Sequence, residues 1–574
     1  MATEKELTGY PSIDKPWLKY YSEEAINAKM PECTIYEYLW ENNKDHLDDV
    51  ALIYFNRKIT YKELFENIDK TAKALTFSGV KPNEIVTIAM PSIPEALYLV
   101  YAANKVGAIA NMIHPLAGES EIVNYLNEVK TTHFFMFYGT YEIVKNALNR
   151  TTVKKSVVIS AADSLTFPLK QLYKLKTKEK ITGINLTDWT SFINQGRKTS
   201  VREYKKDCNT PAIISHTGGT TGEPKGVVLS DKSVNTVIWE IGCNLPHERQ
   251  EITMVVLPPF INYSLVNAML EPLAFGFKVV LIPKYEPEKF DEYIKKYHPN
   301  HLNTIPDYLE SLLSNENLKT MDLSCLKYVF YGGEAMNPQN EEKVNELILS
   351  RGAQFKIGKG LGATELVSAV TVTYPDCNLL GSVGIPLCKA NCKIIDTETG
   401  DELSYNQEGE ICFSGLQLML GYYENQIETD NIIKIHSDGE RWLHTGDLGY
   451  LNDDGVLFVS GRIKRILVTK GDDGTPTKLF PARIENLIMK HPSVELCCVA
   501  TLPDDVRVNV AIAFVVLVND VEESSNLIDD LMNYCKENLP DYMLPEKIIF
   551  KESLPRTQRG KVDYRALEKE AEKL

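Results

Sequence analysis

The sequence contains no long uninterrupted apolar run. Its most apolar long window, 96–113, is broken by Asn104 and Lys105. Because a membrane-spanning helix needs about 20 predominantly apolar residues, the sequence predicts no transmembrane segment. The first ten residues, MATEKELTGY, are polar and lack the apolar core of a signal peptide. We therefore expect a cytoplasmic protein.

Cysteine and histidine lack the spacings that bind metals. The eleven cysteines include no C-x-x-C pair, and the ten histidines form no H-E-x-x-H motif. This pattern is typical of a reduced protein without disulfides or a structural zinc site. The formal net charge of −16 argues against general affinity for nucleic acids or anionic membranes. Any polyanionic ligand must therefore be held by local cations.

The chain is long enough for several domains, with 574 residues, 44% hydrophobic and 24% charged. Residues 34–115 alternate helix and strand signals. Thr60 and Glu63 predict a capping box at a helix start, and a buried strand is expected over 84–90. Alternation of this kind predicts an α/β fold with parallel sheets and helices on both faces.

Later segments continue this pattern and then change character. Further strands are predicted at 252–257, 278–282, 327–331 and 354–357. Functional loops are expected at the carboxyl ends of such strands. Residues 381–460 are typical of a β region with short strands, and a small α+β domain is expected from about residue 465. The lysine-rich stretch 169–180 is interpreted as a solvated face or a loop.

The most informative stretch is Thr217–Gly226, which reads TGGTTGEPKG and lies between apolar runs at 212–214 and 227–229. Glycines allow backbone N–H groups to point at one centre, while threonine hydroxyls and a lysine add donors and charge. Such a loop suits a polyphosphate, although it lacks the Walker form. A surface hairpin is the alternative interpretation. The candidate ligands are Thr217, Gly218, Gly219, Thr220, Thr221, Gly222 and Lys225.

This string resembles the phosphate loop of the AMP-forming adenylating enzymes, which include acyl-CoA ligases, carrier-loading adenylation domains and firefly-type luciferases. Matching motifs run from residue 215 to 561. The resemblance implies a large N-terminal domain, residues 1–463, that binds ATP and acid and contains parallel-type sheets and a β subdomain. It also implies a small mobile α+β domain, residues 464–574, with a hinge near Lys464.

The resemblance assigns roles to several further motifs. Thr364 and Glu365 match a Gly-x-Thr-Glu string in which the threonine contacts the α-phosphate and the glutamate binds Mg²⁺. Asp447 would accept bonds from the ribose hydroxyls, and Arg462 would face the ribose. Lys561, in PRTQRGK, would bridge the attacking carboxylate and the α-phosphate. Each string alone would more often be a helix start, a turn or a surface lysine.

Two pockets are also implied, and both depart from the family pattern. Leu361 replaces the usual aromatic residue beside adenine, and Ile261 replaces a histidine common in acyl-CoA ligases. An insertion at 472–480 alters the coenzyme A side, where Lys470 and Gly471 are expected. The expected adenine side comprises Gly333, Glu334, Ala335, Leu361, Gly362 and Ala363. The expected acyl pocket comprises Phe260, Ile261, Asn262, Tyr263, Gly332 and Gly360.

The implied reaction joins a carboxylic acid to coenzyme A, using ATP and Mg²⁺, with release of AMP and pyrophosphate. Because no carboxylate follows Phe260 to pair with a substrate amine, we expect an amine-free acid, with a fatty acid first and an aryl acid second. Loading of an acyl carrier protein is the alternative function. A non-catalytic ATP-binding protein would be favoured only if Lys561 or Glu365 were missing. The sequence leaves the oligomeric state open.

Overall fold

The computed structural model describes most of the chain. The described residues are 7–177, 179–183, 185–202, 204–217, 224–243, 245–465, 467–470, 476–504, 506–518, 521–556 and 562–573. In this part of the chain, no helix is both long enough and apolar enough to cross a bilayer.

An eight-stranded sheet carries the two strands that flank the predicted phosphate loop. Five neighbouring pairs of its strands run parallel, and the two strands that follow the loop add antiparallel at one edge. The carboxyl ends of the parallel strands therefore share one edge of the sheet. The spatial order is Gly421–Tyr422, Gly226–Ser230, Pro211–His216, Ile109–Met112, Ile85–Ala89, His133–Phe137, Lys155–Ile159 and Leu186–Asp188.

A second sheet has seven strands, parallel except for the hairpin at its edge. One hydrophobic core joins the inner faces of both sheets through the helices between them. The predicted α/β class with parallel-type sheets is confirmed. The order is Gly358–Lys359, Tyr328–Tyr331, His301–Thr304, Ile252–Val255, Lys278–Leu281, Val50–Tyr54 and Arg57–Thr60.

Helices cover both sheets and lie between them. Those up to residue 242 are Pro11–Asp14, Glu23–Asn27, Ile35–Asn43, Tyr61–Ser78, Pro94–Lys105, Glu119–Glu128, Tyr138–Val144, Leu169–Thr177, Trp189–Gln195 and Asp231–Gly242. A continuous helical segment follows, with a π-helical middle: Asn262–Ser264, Leu265–Leu270 and Glu271–Ala274. The remaining helices before the small domain are Phe290–Tyr297, Pro306–Glu310, Pro338–Ser350 and Gln426–Ile432.

The β region predicted at 381–460 is present as a five-stranded antiparallel sheet. Its longest strand, Arg441–Leu451, lies at the centre and pairs with three others. The remaining strands are Ala390–Ile395, Gly409–Gly415, Ile433–Ile435 and Leu457–Arg462.

The C-terminal residues form a small α+β unit with its own hydrophobic core, as expected. Its sheet contains Val494–Asp504, Val508–Leu517 and Pro545–Phe550, packed by the helices Pro481–Ile488, Ser525–Asn538 and Tyr564–Ala571. A hairpin precedes them, in which Leu467–Lys470 pairs with Pro476–Leu479. The loop expected over 470–481 is therefore partly wrong, because β pairing continues through Pro476.

Two other local predictions are corrected. The strand expected at 354–357 lies slightly later, at Gly358–Lys359. The side chain of Thr60 does cap its helix by accepting from the Glu63 N–H at 3.2 Å. Its expected reciprocal bond does not form, because the Glu63 carboxylate pairs with Arg57 instead.

Candidate active site

The ends of the phosphate loop are fixed by a β-hairpin. The backbone N–H of Thr217 donates to the Lys225 carbonyl at 3.0 Å, and the Lys225 N–H donates to the Thr217 hydroxyl at 3.1 Å. These bonds close the loop at its base and hold its two ends together. The intervening candidates Gly218, Gly219, Thr220, Thr221 and Gly222 lie outside the described residues.

The lysine of this loop faces two residues from a distant part of the chain. Its ammonium is paired with Glu428, on helix Gln426–Ile432, and lies 5.0 Å from the centre of the Tyr422 ring. The Tyr422 phenol donates to Glu365 Oε1 at 2.7 Å. Tyr422 thus connects the lysine of the phosphate loop to the expected metal ligand.

The turn that carries Thr364 and Glu365 is tightly constrained. Gly362 pairs with Ala369 as an isolated antiparallel bridge, so the chain folds back on itself around the turn. Val367 has φ of +69°, a conformation that β-branched residues rarely adopt. Strain of this kind persists where the surroundings fix the backbone, often at functional sites.

Close backbone approach explains the glycines around Leu361. A Cβ on Gly362 would lie 2.0 Å from the Ser368 carbonyl oxygen, and one on Gly360 would lie 2.3 Å from that of Thr371. No side chain fits at either position without moving the returning strand. The backbone N–H of Leu361 donates to the Thr371 hydroxyl at 2.8 Å. The half-buried Leu361 side chain packs against the main core.

The expected adenine side begins where strand Tyr328–Tyr331 ends. The Gly332 N–H donates to the Thr304 carbonyl at 3.2 Å, and Gly333 has φ of +90°. Glu334 is partly buried and Ala335 is exposed. Both follow the same strand end that carries Gly332, beside the end of Gly358–Lys359.

Asp447 and Arg462 meet across two antiparallel strands. They are direct cross-strand partners, and Arg462 Nε lies 2.6 Å from Asp447 Oδ1. Asp447 is buried and the arginine is mostly exposed. Behind them, the Glu410 carboxylate accepts from the Gly446 N–H at 3.0 Å and contacts His444 Nδ1 at 2.9 Å. Glu410 therefore fixes the Thr-Gly-Asp turn.

The residues of the expected acyl pocket come together from three strand ends. The Tyr263 ring lies 3.6 Å from the Cβ position of Gly332, and Gly360 O lies 3.8 Å from that position. The Tyr263 hydroxyl donates to the Phe330 carbonyl at 3.3 Å. Phe260 packs on His114 with ring centres 4.4 Å apart.

Two neighbouring residues complete this segment. Ile261 is exposed and Asn262 is buried. The Asn262 carboxamide oxygen accepts from the Ser215 hydroxyl. Its amide nitrogen is buried without a hydrogen-bond partner among the residues that the structure describes.

The small domain contacts the large one beside this site. Arg556 Nη1 lies 3.0 Å from Asp307 Oδ2 and 3.9 Å from Glu334 Oε2. Arg556 also forms an isolated β-bridge with Val562, and these two residues flank 557–561. The predicted catalytic Lys561 lies outside the described residues, and so does Gly471.

Two other predicted residues, Lys464 and Lys470, lie in the first segments of the small domain. Lys464 belongs to a 3₁₀ turn, Ile463–Arg465, at the start of the small domain. Lys470 ends a strand, and its N–H donates to the Arg507 carbonyl at 2.9 Å.

Sequence reasoning missed five residues that the structure places at or behind the site. They are His114, Asp307, Glu410, Tyr422 and Glu428. Each reaches the site from a segment without a motif of its own, so its position depends on tertiary folding. One local signal was available for His114, because it follows the apolar strand Ile109–Met112 at the carboxyl edge of the sheet.

The structure combines a predicted phosphate loop next to a Thr-Glu turn, a buried aspartate on a β subdomain, and a small docked C-terminal unit. Together these features define the class of adenylate-forming enzymes. Comparison with known families agrees with this class. The model described as "AMP-binding enzyme" matches residues 39–423, and the model described as "AMP-binding enzyme C-terminal domain" matches residues 483–561. The chain belongs to the AMP-binding enzyme family, uses ATP, and is an AMP-forming acid–thiol ligase.

Similar proteins are distant in sequence but match along almost the whole chain. A long-chain-fatty-acid–CoA ligase of Bacillus subtilis (strain 168) is 26% identical over 97% of this chain and 98% of its own length. A probable 4-coumarate–CoA ligase 1 of Dictyostelium discoideum is 28% identical over 95% of this chain and 96% of its own length.

Solved structures share the fold. The anthranilate CoA ligase AuaEII, in complex with anthranoyl-AMP, aligns with a TM-score of 0.80 at 21% identity, covering 96% of this chain and 100% of that one. ATP-bound MatB from Rhodopseudomonas palustris aligns with a TM-score of 0.79 at 20% identity, covering 94% and 99%. At these identities the likeness shows the fold alone.

Proposed function

We propose that this enzyme converts an amine-free carboxylic acid, and specifically an aliphatic fatty acid, to its coenzyme A thioester through an acyl-adenylate. In the first step the acid's carboxylate attacks the α-phosphorus of ATP and pyrophosphate leaves. In the second step the thiol of coenzyme A loses its proton to water, its sulfur attacks the acyl carbon, and the bond to AMP breaks so that AMP leaves.

The observation that carries the choice of acid is the composition of the acyl segment. Phe260, Ile261, Asn262 and Tyr263 carry no charge, and the Tyr263 ring lies 3.6 Å from the Cβ position of Gly332. A substrate ammonium placed beside these residues would find no carboxylate among them, and burying an unpaired charge is costly. An apolar chain incurs no such cost. The fatty-acid ligase among the relatives supports the same choice.

The geometry supports specific roles in binding ATP. Thr217 and Lys225 would hold the terminal phosphates, which requires the ammonium to exchange Glu428 for a phosphate oxygen. Asp447 would accept from the ribose hydroxyls while Arg462 holds its carboxylate in place through a 2.6 Å contact. Leu361 would contact adenine through apolar surface alone.

The donor set at the Thr-Glu turn fits a magnesium ion. Glu365 offers a carboxylate oxygen, the donor type that Mg²⁺ prefers, and Tyr422 orients that carboxylate from behind. When bound there, Mg²⁺ would neutralise negative charge on the phosphates. Thr364, beside it, would donate its hydroxyl to an α-phosphate oxygen.

An aryl acid is the second candidate, and one observation favours it. The Tyr263 ring and the Gly360 carbonyl both lie within 4 Å of the Cβ position of Gly332, so an aromatic ring adjoins two glycines that add no side chain. Aromatic rings stack favourably in such an arrangement. Several relatives have names of 4-coumarate–CoA ligases, which supports the alternative.

Coenzyme A is the proposed acceptor, and an acyl carrier protein is the alternative. Lys470 and Lys478 lie on the hairpin expected near the thiol and could meet the phosphates of coenzyme A. Lys478 lies 2.8 Å from Glu398 in this structure, so it must exchange that partner. Gly471 is proposed for the tunnel mouth from the family resemblance.

The experiment that tests this function measures pyrophosphate release by the purified enzyme. Saturated fatty acids of increasing length, cinnamic-type aryl acids and α-amino acids are compared, each with and without coenzyme A. We expect saturation at the lowest concentration by a fatty acid and an acyl-CoA product. Saturation by an aryl acid with fatty acids inert would select the second candidate. Activity on an α-amino acid alone would reject both.

A further inference from the structure

One helix of the large domain exposes an apolar face. The helix Leu169–Thr177 exposes three leucines: Leu169 at 42%, Leu172 at 59% and Leu175 at 73%. Phe167, two residues before the helix, is 79% exposed. The leucines recur every third residue and so lie along one side of the helix, over a length of about 9 Å. Single exposed leucines are common on soluble proteins, but four adjacent large apolar side chains are not.

The sequence around this face has an excess of positive charge. Between Thr166 and Lys180 it has five lysines, at positions 170, 174, 176, 178 and 180, and one acidic residue, Glu179, while Asp163 lies just before this stretch. The whole chain carries a formal net charge of −16, so this stretch is opposite in sign to the rest. A short helix with leucines on one side and lysines beside them is typical of a segment that lies in a membrane interface.

The preceding segment is fixed to the body of the domain. The hydroxyl of Tyr54 donates to the Ala161 carbonyl at 2.7 Å, and Arg57 donates to the Ser164 carbonyl at 2.8 Å. The Ser164 hydroxyl donates to the buried Glu95 carboxylate at 2.6 Å. These bonds hold the start of the segment in place.

The helix itself and the segment after it are also attached. Tyr173, on the inner side of the helix, packs against the main core. After the helix, the Tyr141 hydroxyl donates to the Thr182 carbonyl at 3.0 Å. Turning the leucines inward would break these contacts, so the fold presents the apolar face to the outside.

The strand that precedes this helix belongs to the same sheet as the strand that precedes the predicted phosphate loop. The helix follows strand Lys155–Ile159, which is parallel to strand Pro211–His216 through the intervening strands. The carboxyl ends of these two strands therefore lie at the same edge of the sheet, four strand spacings or about 19 Å apart.

We propose that Phe167 and the helix Leu169–Thr177 form a peripheral contact for an anionic lipid bilayer. The three leucines and Phe167 enter the boundary between head groups and acyl chains, while the lysines remain among anionic head groups. The apolar area supplies burial, and the local positive charge offsets the repulsion between the acidic protein and the surface. We prefer the bilayer to an acidic protein groove because a short helix with exposed leucines and lysines interspersed in its sequence is typical of an interfacial segment.

The test measures binding of the full-length protein to vesicles by flotation, without substrate, so its outcome does not depend on which acid the enzyme activates. Vesicles of phosphatidylcholine alone are compared with vesicles that also contain phosphatidylglycerol, at low and high salt. We expect binding to the mixed vesicles that weakens as salt rises, since salt screens the lysines.

Two variants separate the apolar and the charged contributions. Leu172→Ser with Leu175→Ser should weaken binding at least about tenfold, because burial of two leucines is lost. Lys174→Gln with Lys176→Gln should remove the preference for phosphatidylglycerol. The matched control is Leu379→Ser with Leu380→Ser, two leucines exposed at 43% and 48% elsewhere. All variants should retain the parent's circular dichroism and its adenylation of a short, soluble acid.

Failure of the parent protein to float with either vesicle overturns the proposal. Equal weakening by the control pair also overturns it, because the effect would not belong to this helix. If the helix variants instead abolish self-association of the parent, and no vesicle binds, the face belongs to a second copy of the chain.

Discussion

The phenol of Tyr422 donates a 2.7 Å hydrogen bond to Oε1 of Glu365, although the two residues are 57 positions apart. Burial, reinforced by this carboxylate, raises the pKa of Tyr422 well above its ordinary value. Tyr422 therefore stays protonated and remains a donor throughout the physiological range. The same ring lies 5.0 Å from the ammonium of Lys225. The tyrosine thus couples the proposed magnesium ligand to the phosphate loop.

Replacing this tyrosine tests the coupling. Tyr422→Phe removes the hydrogen bond and keeps the ring, so Glu365 loses its orientation but the core is preserved. We expect the Mg²⁺ concentration for half-maximal adenylation to rise at least about tenfold, the scale of losing a partner behind a metal ligand. Glu365→Gln should produce a larger shift with little change in thermal stability.

The adjacent Tyr423→Phe serves as the control for the same chemical change. Magnesium titrations that superpose for Tyr422→Phe and the parent would show that the hydrogen bond is only structural.

Much of this arrangement follows from local sequence. The Gly/Thr loop, the strands that flank it and the β region at 381–460 have short-range signals: turn residues, apolar runs and alternation. The flanking strands and the β region lie where those signals place them. The close backbone approach at Gly360 and Gly362 also explains why both positions lack side chains.

The partners of these motifs had no such signals. Tyr422 reaches Glu365 only because strand Gly421–Tyr422 adds to the edge of the sheet that carries the phosphate loop. Glu410 reaches the Thr-Gly-Asp turn through pairing of strands more than 30 residues apart. Propensity and periodicity describe neighbours in sequence, whereas these contacts depend on which strands pair. The error at Pro476 has the same cause, since a cross-strand partner extended β structure into a proline-containing loop.

Contact between the domains gives a second prediction. Arg556 of the small domain lies 3.0 Å from Asp307 of the large one, beside Glu334. We expect Asp307→Asn to slow adenylation by about two- to fivefold, since a half-exposed ion pair contributes about 1 kcal/mol or less. Thioester formation from supplied acyl-adenylate should not change. Equal slowing of both half-reactions would contradict a role specific to the adenylating arrangement.

The nearby Lys561 should have a much larger effect on the same step. Lys561→Ala removes a positive charge proposed to stabilise the transition state, so adenylation should fall at least about 100-fold. The thioester step from acyl-adenylate should survive. The exposed Lys569→Ala, on the last helix, is the matched control. Rapid-quench measurement of each half-reaction distinguishes these outcomes, and a parallel loss in both would reject the assignment.

Buried glutamates predict how stability depends on pH. Glu240 is fully buried, and burial raises its pKa to about 8 despite a hydrogen bond from the Lys389 N–H. The folded protein therefore binds more protons than the unfolded chain between about pH 4.5 and about pH 8. By linkage, the free energy of unfolding contributed by this group is greatest below about pH 4.5, decreases as pH rises, and is constant above about pH 8.

Glu240→Gln removes this titration and keeps an acceptor for the Lys389 N–H. We compare the free energy of unfolding of the variant with that of the parent at each pH. The difference, variant minus parent, should rise by more than about 1 kcal/mol between about pH 5 and about pH 8.5. Urea unfolding at several pH values provides the measurement. The exposed Glu537→Gln should change little at any pH. A relative stability that is flat or falls with pH would show that Glu240 is already ionised in the folded protein.

The hinge gives the last prediction, because the two half-reactions need different faces of the small domain. Lys464 lies in a 3₁₀ turn between strand Leu457–Arg462 and the small domain, where the family's hinge residue is expected. Arg465, next to it, is held by Glu485 through two contacts of 2.7 and 3.1 Å. Rotation therefore has to be absorbed by the few backbone angles before Arg465. Lys464→Pro fixes φ near −65° and restricts Ile463, so it should spare adenylation and impair thioester formation by at least about tenfold. Lys464→Ala, which keeps backbone freedom, should retain both steps.

The assay offers the preferred acid with either coenzyme A or a pantetheinylated carrier protein. Rapid acylation of the carrier without acyl-CoA would transfer the function to carrier loading, and equal loss of both steps in the proline variant would reject the hinge.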